Sequence, residues 1–356
     1  MITKAQMHVP YTYLTTEFSP DAALGKRILA GIADEMRYGR YTLGPAVHEF
    51  EEAFAQVCQT KHAIGVGNGT DALFLIMKAM GVEPGRVIAT IPVTFLATVG
   101  AIIAADGLPQ FEDIPWNQRD SRGILSMQVH WAGEPTTSNG QFIEDACQAI
   151  GAEVNGRRVG SLGIAAAFSL HPLKNVNVMG DGGVVTTNDD ALAAEVRLLR
   201  NHGLQGRDTW IKPGYNSRLD TIQAVVGLEA LKELDWVTER RIANAERYDD
   251  GLRGLAQVAY PARLRDIRHV YHLYQVQVEN RDELLAYLQA HGVEAKVHYP
   301  TPLHLQPALA SLGYKRGDFP NAERFCDTHI SLPIHQYLTE EQIDYALSCI
   351  HDFYHN

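Results

Sequence analysis

The sequence predicts a large α/β domain built on a mostly parallel sheet, followed by a smaller α+β domain. Between residues 62 and 187, short apolar runs alternate with stretches of helical periodicity. Such alternation is typical of a parallel sheet whose two faces are covered by helices. The chain then becomes helical, and from about Asp235 its composition shifts to a half-polar strand pattern and further helices. We therefore expect residues 1–234 to form an N-terminal segment and the large domain, and residues 235–356 the small domain.

Two helices precede the first strand. The triplet Ser-Pro-Asp at residues 19–21 has the cap residue, early proline and acidic side chain of a helix start. Apolar residues then recur every four positions, and Gly39 can end this helix. Gly44 and Pro45 turn the chain into a second helix. Its apolar face consists of Val47, Phe50 and Phe54.

Seven apolar runs are interpreted as strands, with helices after the first two. They lie at residues 62–66, 87–91, 109–114, 124–130, 141–146, 165–170 and 182–187. Later helices are predicted at residues 189–200, 219–234 and 237–255. In the small domain we expect strands at 271–279 and 293–299, a helix at 281–292, and a last helix from Glu340 to about Tyr354.

Residues 168–187 place Lys174 in a turn between two of these strands. Ser169, Asn175 and Asp181 lie in the same stretch. A lysine amine with a lowered pKa can form a Schiff base with an aldehyde cofactor. The alternative is a solvated loop lysine, and this stretch alone does not decide between the two.

Two further motifs stand where strands are expected to end. Gly69 and Thr70, in the sequence GNGTD, lie between a strand and a helix, where backbone N–H groups bind anions. Asp145 ends the FIEDA strand and Gln148 follows it, at the edge where parallel sheets bind ligands. A carboxylate there can keep a pyridinium nitrogen protonated. The alternatives are a capped tight turn for the first motif and a cap or salt bridge for the second.

Two weaker signals involve an aromatic ring and a guanidinium group. Phe95 can stack on a flat cofactor ring, although a phenylalanine here also suits an apolar core. The stretch 214–220, GYNSRLD, combines Asn216 with Arg218, which can hold a carboxylate or phosphate as a bidentate pair. Turn and cap roles for Asn216 and Asp220, with Arg218 solvated, explain the same stretch equally well.

Composition disfavours several classes of partner. The chain has 356 residues and a formal net charge of −11, which disfavours nonspecific binding to nucleic acid. No apolar run is long enough to span a membrane, and the N-terminus lacks the apolar core of a signal peptide. The four cysteines show no paired spacing, so neither disulfides nor a metal site are expected. We predict a cytoplasmic protein.

In their order along the chain, these motifs resemble the DegT/DnrJ/StrS group of sugar aminotransferases. Those enzymes use pyridoxal 5′-phosphate (PLP) and have the aspartate-aminotransferase fold, fold type I. The resemblance spans nearly the whole chain and rests on YTLGPAVHEFEEAFA, GVGNGTDALFL, IPVTFLAT, IEDACQAIGA, FSLHPLKN, GDGGVVTTND, LLRNHG, YNSRLDTIQAVVGL, VHYPTPLHLQP and GDFPNAE. It implies a large domain with a mostly parallel seven-stranded sheet and a smaller C-terminal α+β domain.

The resemblance also implies roles for the residues around the cofactor. Lys174 would hold PLP covalently as a Schiff base and later move the proton between carbon atoms. Asp145 would pair with the ring nitrogen, and Gln148 would lie near the ring hydroxyl. Phe95 would stack on the ring. The phosphate would be bound by Gly69, Thr70 and Ser169.

A homodimer with active sites at the subunit interface is part of the same expectation. Asn216 would reach the phosphate of the neighbouring subunit's cofactor. The substrates would be faced by Arg218, His298 and Tyr299. No metal is implied.

Two departures from the family pattern stand out. His171 replaces the usual aromatic residue, in Phe-Ser-Leu-His. Only ten residues separate Asp113 from Ile124, and ten separate Trp131 from Phe142, where the family places a helix each time. A parallel crossover through a helix needs about a dozen residues or more. We therefore predict loop-like or extended connections there and a thinly covered part of the sheet.

The implied reaction moves the amino group of L-glutamate onto a keto sugar, expected to be nucleotide-linked. The product would be an amino sugar for a surface polysaccharide or secondary metabolite. Two alternatives keep the cofactor: a PLP-dependent sugar dehydratase, in which relatives often replace the lysine with histidine, and a non-catalytic regulator that senses PLP or sugar. A further alternative is a binding module that uses no cofactor. It would require every motif above to serve the fold alone. The sequence defines neither the sugar nor the aminated carbon.

Overall fold

The computed structural model describes residues 7–114, 124–136, 141–260 and 263–355. Helices lie at Leu14–Glu17 (α1), Ala23–Tyr38 (α2), Pro45–Val57 (α3), Gly69–Ala79 (α4), Leu96–Ala104 (α5), Asp190–Leu199 (α6), Thr221–Leu231 (α7), Leu234–Leu252 (α8), Arg281–Ala290 (α9), Pro320–Thr328 (α10) and Glu340–His355 (α11). Short 3₁₀ turns lie at Trp131–Gly133, Leu303–Leu305 and Pro307–Leu312.

The strands form one large sheet and three small ones. They lie at His62–Val66 (β1), Val87–Thr90 (β2), Leu108–Phe111 (β3), Ser126–Val129 (β4), Phe142–Asp145 (β5), Glu153–Val154 (β6), Arg157–Arg158 (β7), Ala165–Ser169 (β8), Gly183–Thr187 (β9), Leu204–Gln205 (β10), Thr209–Trp210 (β11), Val258–Ala259 (β12), Ile267–Arg268 (β13), Tyr274–Val278 (β14) and His329–Leu332 (β15).

The large sheet has seven strands in the order β1-β9-β8-β5-β4-β2-β3. Strand β9 is antiparallel to both of its neighbours, and the other neighbouring strands are parallel. The predicted fold class is therefore confirmed, including the number of strands. In such a sheet the carboxyl ends of the parallel strands share one edge, and ligands bind there.

Helices pack on both faces of this sheet because each strand places apolar side chains alternately on either side. Helices α4, α5 and α6 cover one face, which includes Ile64, Met127 and Ile143. Helices α2, α3 and α7 cover the other face. Helix α3 presents Val47, Phe50 and Phe54 to it, as predicted, and all three are buried.

Two local predictions were wrong. Helix α2 begins at Ala23, because the Ser19 carbonyl accepts a hydrogen bond from the Ala22 N–H (3.0 Å) in a turn that precedes the helix. Residues 293–299 do not form a strand. Val293 bridges to Val9 and Lys296 bridges to Ser331, so successive residues pair with two different segments and no continuous ladder forms. The predicted end of α2 at Gly39 is confirmed, with a φ of 66°.

The two short connections contain no helix in their described residues, apart from the 3₁₀ turn at Trp131–Gly133. Residues 115–123 and 137–140, on which the rest of that prediction falls, lie outside the described residues. The side chains of Ser126, Gln128 and Glu144 on β4 and β5 are polar and at most 1% exposed. The expectation of a thinly covered sheet is therefore wrong for these strands.

A hydrogen-bonded cluster covers β4 and β5 in place of an apolar layer. Glu144 accepts hydrogen bonds from His130 Nε2 (2.9 Å) and from the backbone N–H groups of residues 160, 162 and 163 (2.8–2.9 Å). His130 Nδ1 accepts from the Thr136 N–H (2.9 Å), and the Thr136 hydroxyl donates to Gln128 Oε1 (3.1 Å). A buried carboxylate is tolerated here because its oxygens are satisfied.

The small domain is centred on the antiparallel sheet β12-β14-β15. Its core is formed with α8, α9 and α11, and Val9 from the N-terminal segment packs into the same core. The predicted division at residue 235 falls in the first turn of α8 and stays a prediction. Within the described ranges, no helix combines the length and the apolarity needed to cross a bilayer.

Candidate active site

A cavity of about 720 Å³ opens at the carboxyl edge of the large sheet, facing the small domain. Most of the sequence-predicted site residues line it: Gly69, Thr70, Phe95, Asp145, Gln148, Ser169, Lys174, His298 and Tyr299. They meet there because Asp145 and Ser169 are the last residues of parallel strands, and Gly69 and Phe95 follow two others. Asn216 and Arg218 do not line this cavity.

The N-terminus of α4 forms one wall. Asn68 caps the helix by accepting from the Asp71 N–H (2.8 Å), which leaves the N–H groups of Gly69 and Thr70 without a backbone partner among the described residues. A Cβ on Gly69 would lie 2.8 Å from the Ser169 Cβ, so glycine allows this loop to lie against β8. Free N–H groups, nearby hydroxyls and the helix dipole fit a phosphate.

Asp145 is 5% exposed and is held by a threonine pair. Its Oδ2 accepts from Thr98 Oγ1 (2.7 Å), and Thr98 is hydrogen-bonded to Thr94 Oγ1 (2.7 Å). No described lysine, arginine or histidine makes an ion pair with Asp145, so the salt-bridge alternative is not observed. A buried carboxylate without a cationic partner fits a protonated ring nitrogen.

Lys174 lies in the turn that joins the antiparallel strands β8 and β9, as predicted. Burial lowers the pKa of its amine, while the neighbouring Cys147 and Asp145 oppose this effect. Burial and Asp145 raise the pKa of the Cys147 thiol well above its usual range. A lowered pKa leaves more of the lysine amine neutral, and the neutral amine is the form that attacks an aldehyde.

The mouth of the cavity carries aromatic and imidazole groups. Phe95 is 47% exposed, so it is not a core residue, and its ring lies 5.9 Å from that of Tyr299. Burial raises the pKa of Tyr299 to about 12. Burial, followed by the charge of His329, lowers the pKa of His298 to about 4, so this imidazole is neutral near pH 7. The aromatic ring of Phe95 can stack on a flat ring, and the neutral His298 and Tyr299 can form hydrogen bonds with a substrate.

Gln148 links the cavity to the second shortened connection, which runs from Trp131 to Phe142. Its Oε1 accepts from the Ala132 N–H (2.7 Å), in the turn that Trp131–Gly133 forms. Asn216 and Arg218 lie elsewhere on the single chain. Asn216 is exposed, and Arg218 donates to Asn201 Oδ1 (3.0 Å).

Several cavity residues were missed by sequence reasoning: Tyr11, Tyr13, Thr98, Cys147, His171, Arg241, His272 and His335. Most belong to no recognisable motif. Arg241 did carry a signal, because it falls on the apolar stripe of α8 with Val237, Ala245 and Tyr248. A charged residue on such a stripe is costly to bury, which marks it as a candidate for a special role.

The profile of the DegT/DnrJ/EryC1/StrS aminotransferase family matches residues 22–119 and 136–351. The chain belongs to this family. It is 38% identical to the "Pleiotropic regulatory protein" of Geobacillus stearothermophilus over 373 aligned positions, which cover 98% of this chain and 99% of the relative. It is also 38% identical to the dTDP-3-amino-3,4,6-trideoxy-alpha-D-glucose transaminase of Streptomyces venezuelae, over 88% of each chain.

The crystal structure of S. venezuelae DesV in complex with a ketimine intermediate has the same fold. It matches with a TM-score of 0.92 and 34% identity, over 98% of this chain and 99% of DesV. This member of the DegT/DnrJ/EryC1/StrS family is therefore an aminotransferase of the PLP-dependent class. Residues 120–135, between the two matched ranges, include β4 and the 3₁₀ turn at Trp131–Gly133.

Proposed function

We propose that this aminotransferase moves the amino group of L-glutamate onto the ketone of a nucleotide-linked sugar. The observation that carries the proposal is one cavity that combines an amine of lowered pKa, a buried carboxylate and an anion-binding helix N-terminus. The transaminase name of the S. venezuelae relative supports the sugar acceptor.

Each residue has a task in this proposal. PLP, when bound, supplies an electron sink for the pair released at the substrate carbon. Lys174 Nζ accepts the proton from that carbon and delivers it to the carbon on the other side of the transferred nitrogen. Asp145 keeps the proton on the ring nitrogen, and Thr98 fixes its carboxylate through Oδ2. The N–H groups of Gly69 and Thr70 hold the phosphate.

The substrate side is assigned to the mouth of the cavity. His298 and Tyr299 would contact the sugar, and Phe95 would cover the cofactor ring, because all three line the cavity and Phe95 is 47% exposed. Gln148 would face the ring hydroxyl while its Oε1 holds Ala132. These neutral groups discriminate among hydroxyl patterns through hydrogen bonds.

Replacement of Lys174 tests the proposal directly. Lys174→Ala with saturating PLP should lower turnover at least about a thousandfold, because proton transfer alone contributes roughly 10²–10⁴-fold. Lys78→Ala is the matched control, since Lys78 pairs with Asp106 on the surface (3.1 Å). Borohydride reduction of the wild-type holoenzyme should fix the chromophore on residue 174. Normal multiple turnover by Lys174→Ala would refute the assignment.

We also propose a homodimer, and the positions of Asn216 and Arg218 support it. Neither residue lines the cavity of its own chain. The family resemblance assigns Asn216 to the phosphate of the neighbouring subunit's cofactor and Arg218 to the substrate side. Exposed apolar side chains, which include Leu96, Trp210 and Ile211, are compatible with a subunit interface. Lys174→Ala and Asn216→Ala chains that are refolded together in equal amounts should form about half mixed dimers. One of the two sites in each mixed dimer is complete, so about a quarter of the wild-type activity should be restored. No restoration would count against a shared site.

A regulatory role is a second candidate, favoured by the name of the G. stearothermophilus relative. A PLP-dependent sugar dehydratase is the alternative within the same chemistry. Formation of 2-oxoglutarate from L-glutamate, with a change in cofactor absorbance, distinguishes the aminotransferase from both. A yellow protein that leaves L-glutamate unchanged under all acceptors would favour the regulator.

A further inference from the structure

The N-terminal segment, residues 9–18, crosses from the small domain to the large one and is called the strap. At one end Val9 is fully buried in the small-domain core and bridges to Val293. The Tyr11 N–H donates to Glu294 Oε2 (2.8 Å) in the same domain. At the other end Phe18 packs against the core of the large domain. The strap is therefore anchored in both domains.

Between these anchors the strap contacts the turn that carries Lys174. The Tyr13 hydroxyl donates to the carbonyl oxygen of Lys174 (3.1 Å), and Tyr13 is 4% exposed. Three residues further on, Asn177 Nδ2 donates to Glu17 Oε2 (2.8 Å). The lysine turn thus makes two side-chain hydrogen bonds to one short segment from the far end of the chain.

A buried arginine closes this arrangement into a ring. Arg241 Nη2 donates to the Tyr13 oxygen (3.1 Å), and Arg241 Nε donates to Gln336 Oε1 (3.2 Å). Gln336 Nε2 donates in turn to Glu17 Oε1 (3.2 Å). The ring links helix α8, the strap, the lysine turn and the segment after β15.

The cost of burying Arg241 indicates that the ring has a purpose beyond packing. Arg241 is 2% exposed, and no described carboxylate makes an ion pair with it. Its donors face neutral acceptors only, including the carbonyl of Tyr271 (3.0 Å). A buried cation without a carboxylate partner is unfavourable for stability and is commonly retained for function. Its direct neighbour is the hydroxyl that holds Lys174.

We propose that Tyr13 and Arg241 are positioning residues for Lys174, and that the strap thereby couples the arrangement of the two domains to the position of the catalytic amine. This inference rests on the proposed role of Lys174. Tyr13 acts on the backbone of the turn rather than on the reacting atoms. Arg241 orients the Tyr13 hydroxyl, because it occupies the acceptor side of that oxygen and leaves the proton to point at Lys174.

Hydrogen exchange of residues 171–178 in the holoenzyme tests the proposal without an activity assay. The amides of Lys174 and Val178 donate within this turn, to His171 (2.8 Å) and Leu170 (2.9 Å), so their exchange reports its opening. Tyr13→Phe should accelerate their exchange about tenfold, since one hydrogen bond contributes roughly tenfold to the equilibrium. Arg241→Lys should act in the same direction.

The matched control is Tyr248→Phe, which removes another buried tyrosine hydroxyl in the small-domain core, one with no hydrogen-bond partner among the described residues. It should leave exchange in residues 171–178 unchanged. In Tyr13→Phe, kcat should fall about tenfold with little change in KM, and the pH midpoint of the cofactor absorbance should shift, because the amine is displaced.

The outcomes separate the two proposals. If hydrogen exchange and cofactor absorbance in Tyr13→Phe match those of wild type, the proposed positioning role of the strap is refuted, while the role of Lys174 is unaffected. Turnover by Lys174→Ala would overturn the proposed function, whereas faster exchange in Tyr13→Phe would still support the contact between strap and turn. Equal effects of Tyr13→Phe and Tyr248→Phe would also overturn it, since they would reflect general destabilisation.

Discussion

The folded protein should become less stable as pH rises from about 5 to 8 because of Glu17. This carboxyl is 6% exposed, and burial raises its pKa from 4.5 to about 7, although Asn177 and Arg241 oppose the shift. A raised pKa means that the folded state keeps a proton that the unfolded chain releases. The stabilisation is therefore complete below pH 4.5 and is lost as pH rises through about 7.

The size of the effect follows from the shift. About 2.5 pKa units correspond to about 3 kcal/mol of unfolding free energy. Glu17→Gln removes the titration but keeps the side-chain volume, so the difference between wild type and variant isolates this one group. The assay is urea unfolding by linear extrapolation at several pH values with saturating PLP.

We expect the unfolding free energy of wild type, relative to that of Glu17→Gln, to fall by about 3 kcal/mol between pH 4.5 and pH 8. A constant offset between the two proteins is compatible with the reasoning, because the amide also alters the hydrogen bonds to Asn177 and Gln336. Parallel pH curves for the two proteins would refute it, since they would show that Glu17 titrates with an ordinary pKa in the folded state.

Three substitutions test the walls of the site. Gly183→Ala would place a Cβ 2.2 Å from the Asn68 oxygen, so the loop before α4 must move; we expect at least about tenfold weaker PLP binding and a loss of roughly 1–3 kcal/mol of stability. In Glu144→Gln, the new amide NH₂ group faces either the backbone N–H groups or the imidazole N–H, whichever way the amide is turned. Two donors then face each other, so the free energy of unfolding, measured in urea, should fall by about 2–5 kcal/mol. Thr98→Val removes the donor to Asp145 and should weaken PLP binding by about fivefold to tenfold, as measured by fluorescence titration.

Each of these variants has a control. Gly100→Ala adds a methyl group that meets no described atom within 4 Å outside its own helix backbone and chain neighbours, so this variant should bind PLP normally. Glu52→Gln alters an exposed carboxylate paired with His48 and should change stability by less than about 1 kcal/mol. Thr98→Ser keeps the hydroxyl and should recover most of the affinity lost in Thr98→Val. Affinity or stability equal to wild type in the primary variants would contradict the corresponding contact.

The positions of the strands along the chain and the site motifs were accessible from sequence because both are local signals. Alternating apolar runs predict the parallel sheet, and Gly69, Asp145 and Ser169 stand at strand ends in the sequence itself. What could not be predicted depends on long-range contacts. Tyr13 lies 161 positions from Lys174, and no periodicity indicates that a hydroxyl near the N-terminus holds that turn.

Errors arose where local propensity competed with tertiary pairing. The Ser-Pro-Asp triplet has good helix-start chemistry, yet the chain forms a separate turn there and α2 begins at Ala23. The part of the sheet expected to be thinly covered carries buried polar side chains, because the backbone N–H groups of residues 160, 162 and 163 satisfy Glu144. A glutamate inside an apolar run was the available sign of that cluster.

The polar covering of β4 and β5 limits which connections this sheet can accept. Grafting a helix onto this scaffold would bring an apolar helix surface against Gln128, His130 and Glu144, whose hydrogen-bond partners would be displaced. A working chimaera would need apolar replacements on both strands in the same step. The short connections and the polar residues of these strands therefore have to change together.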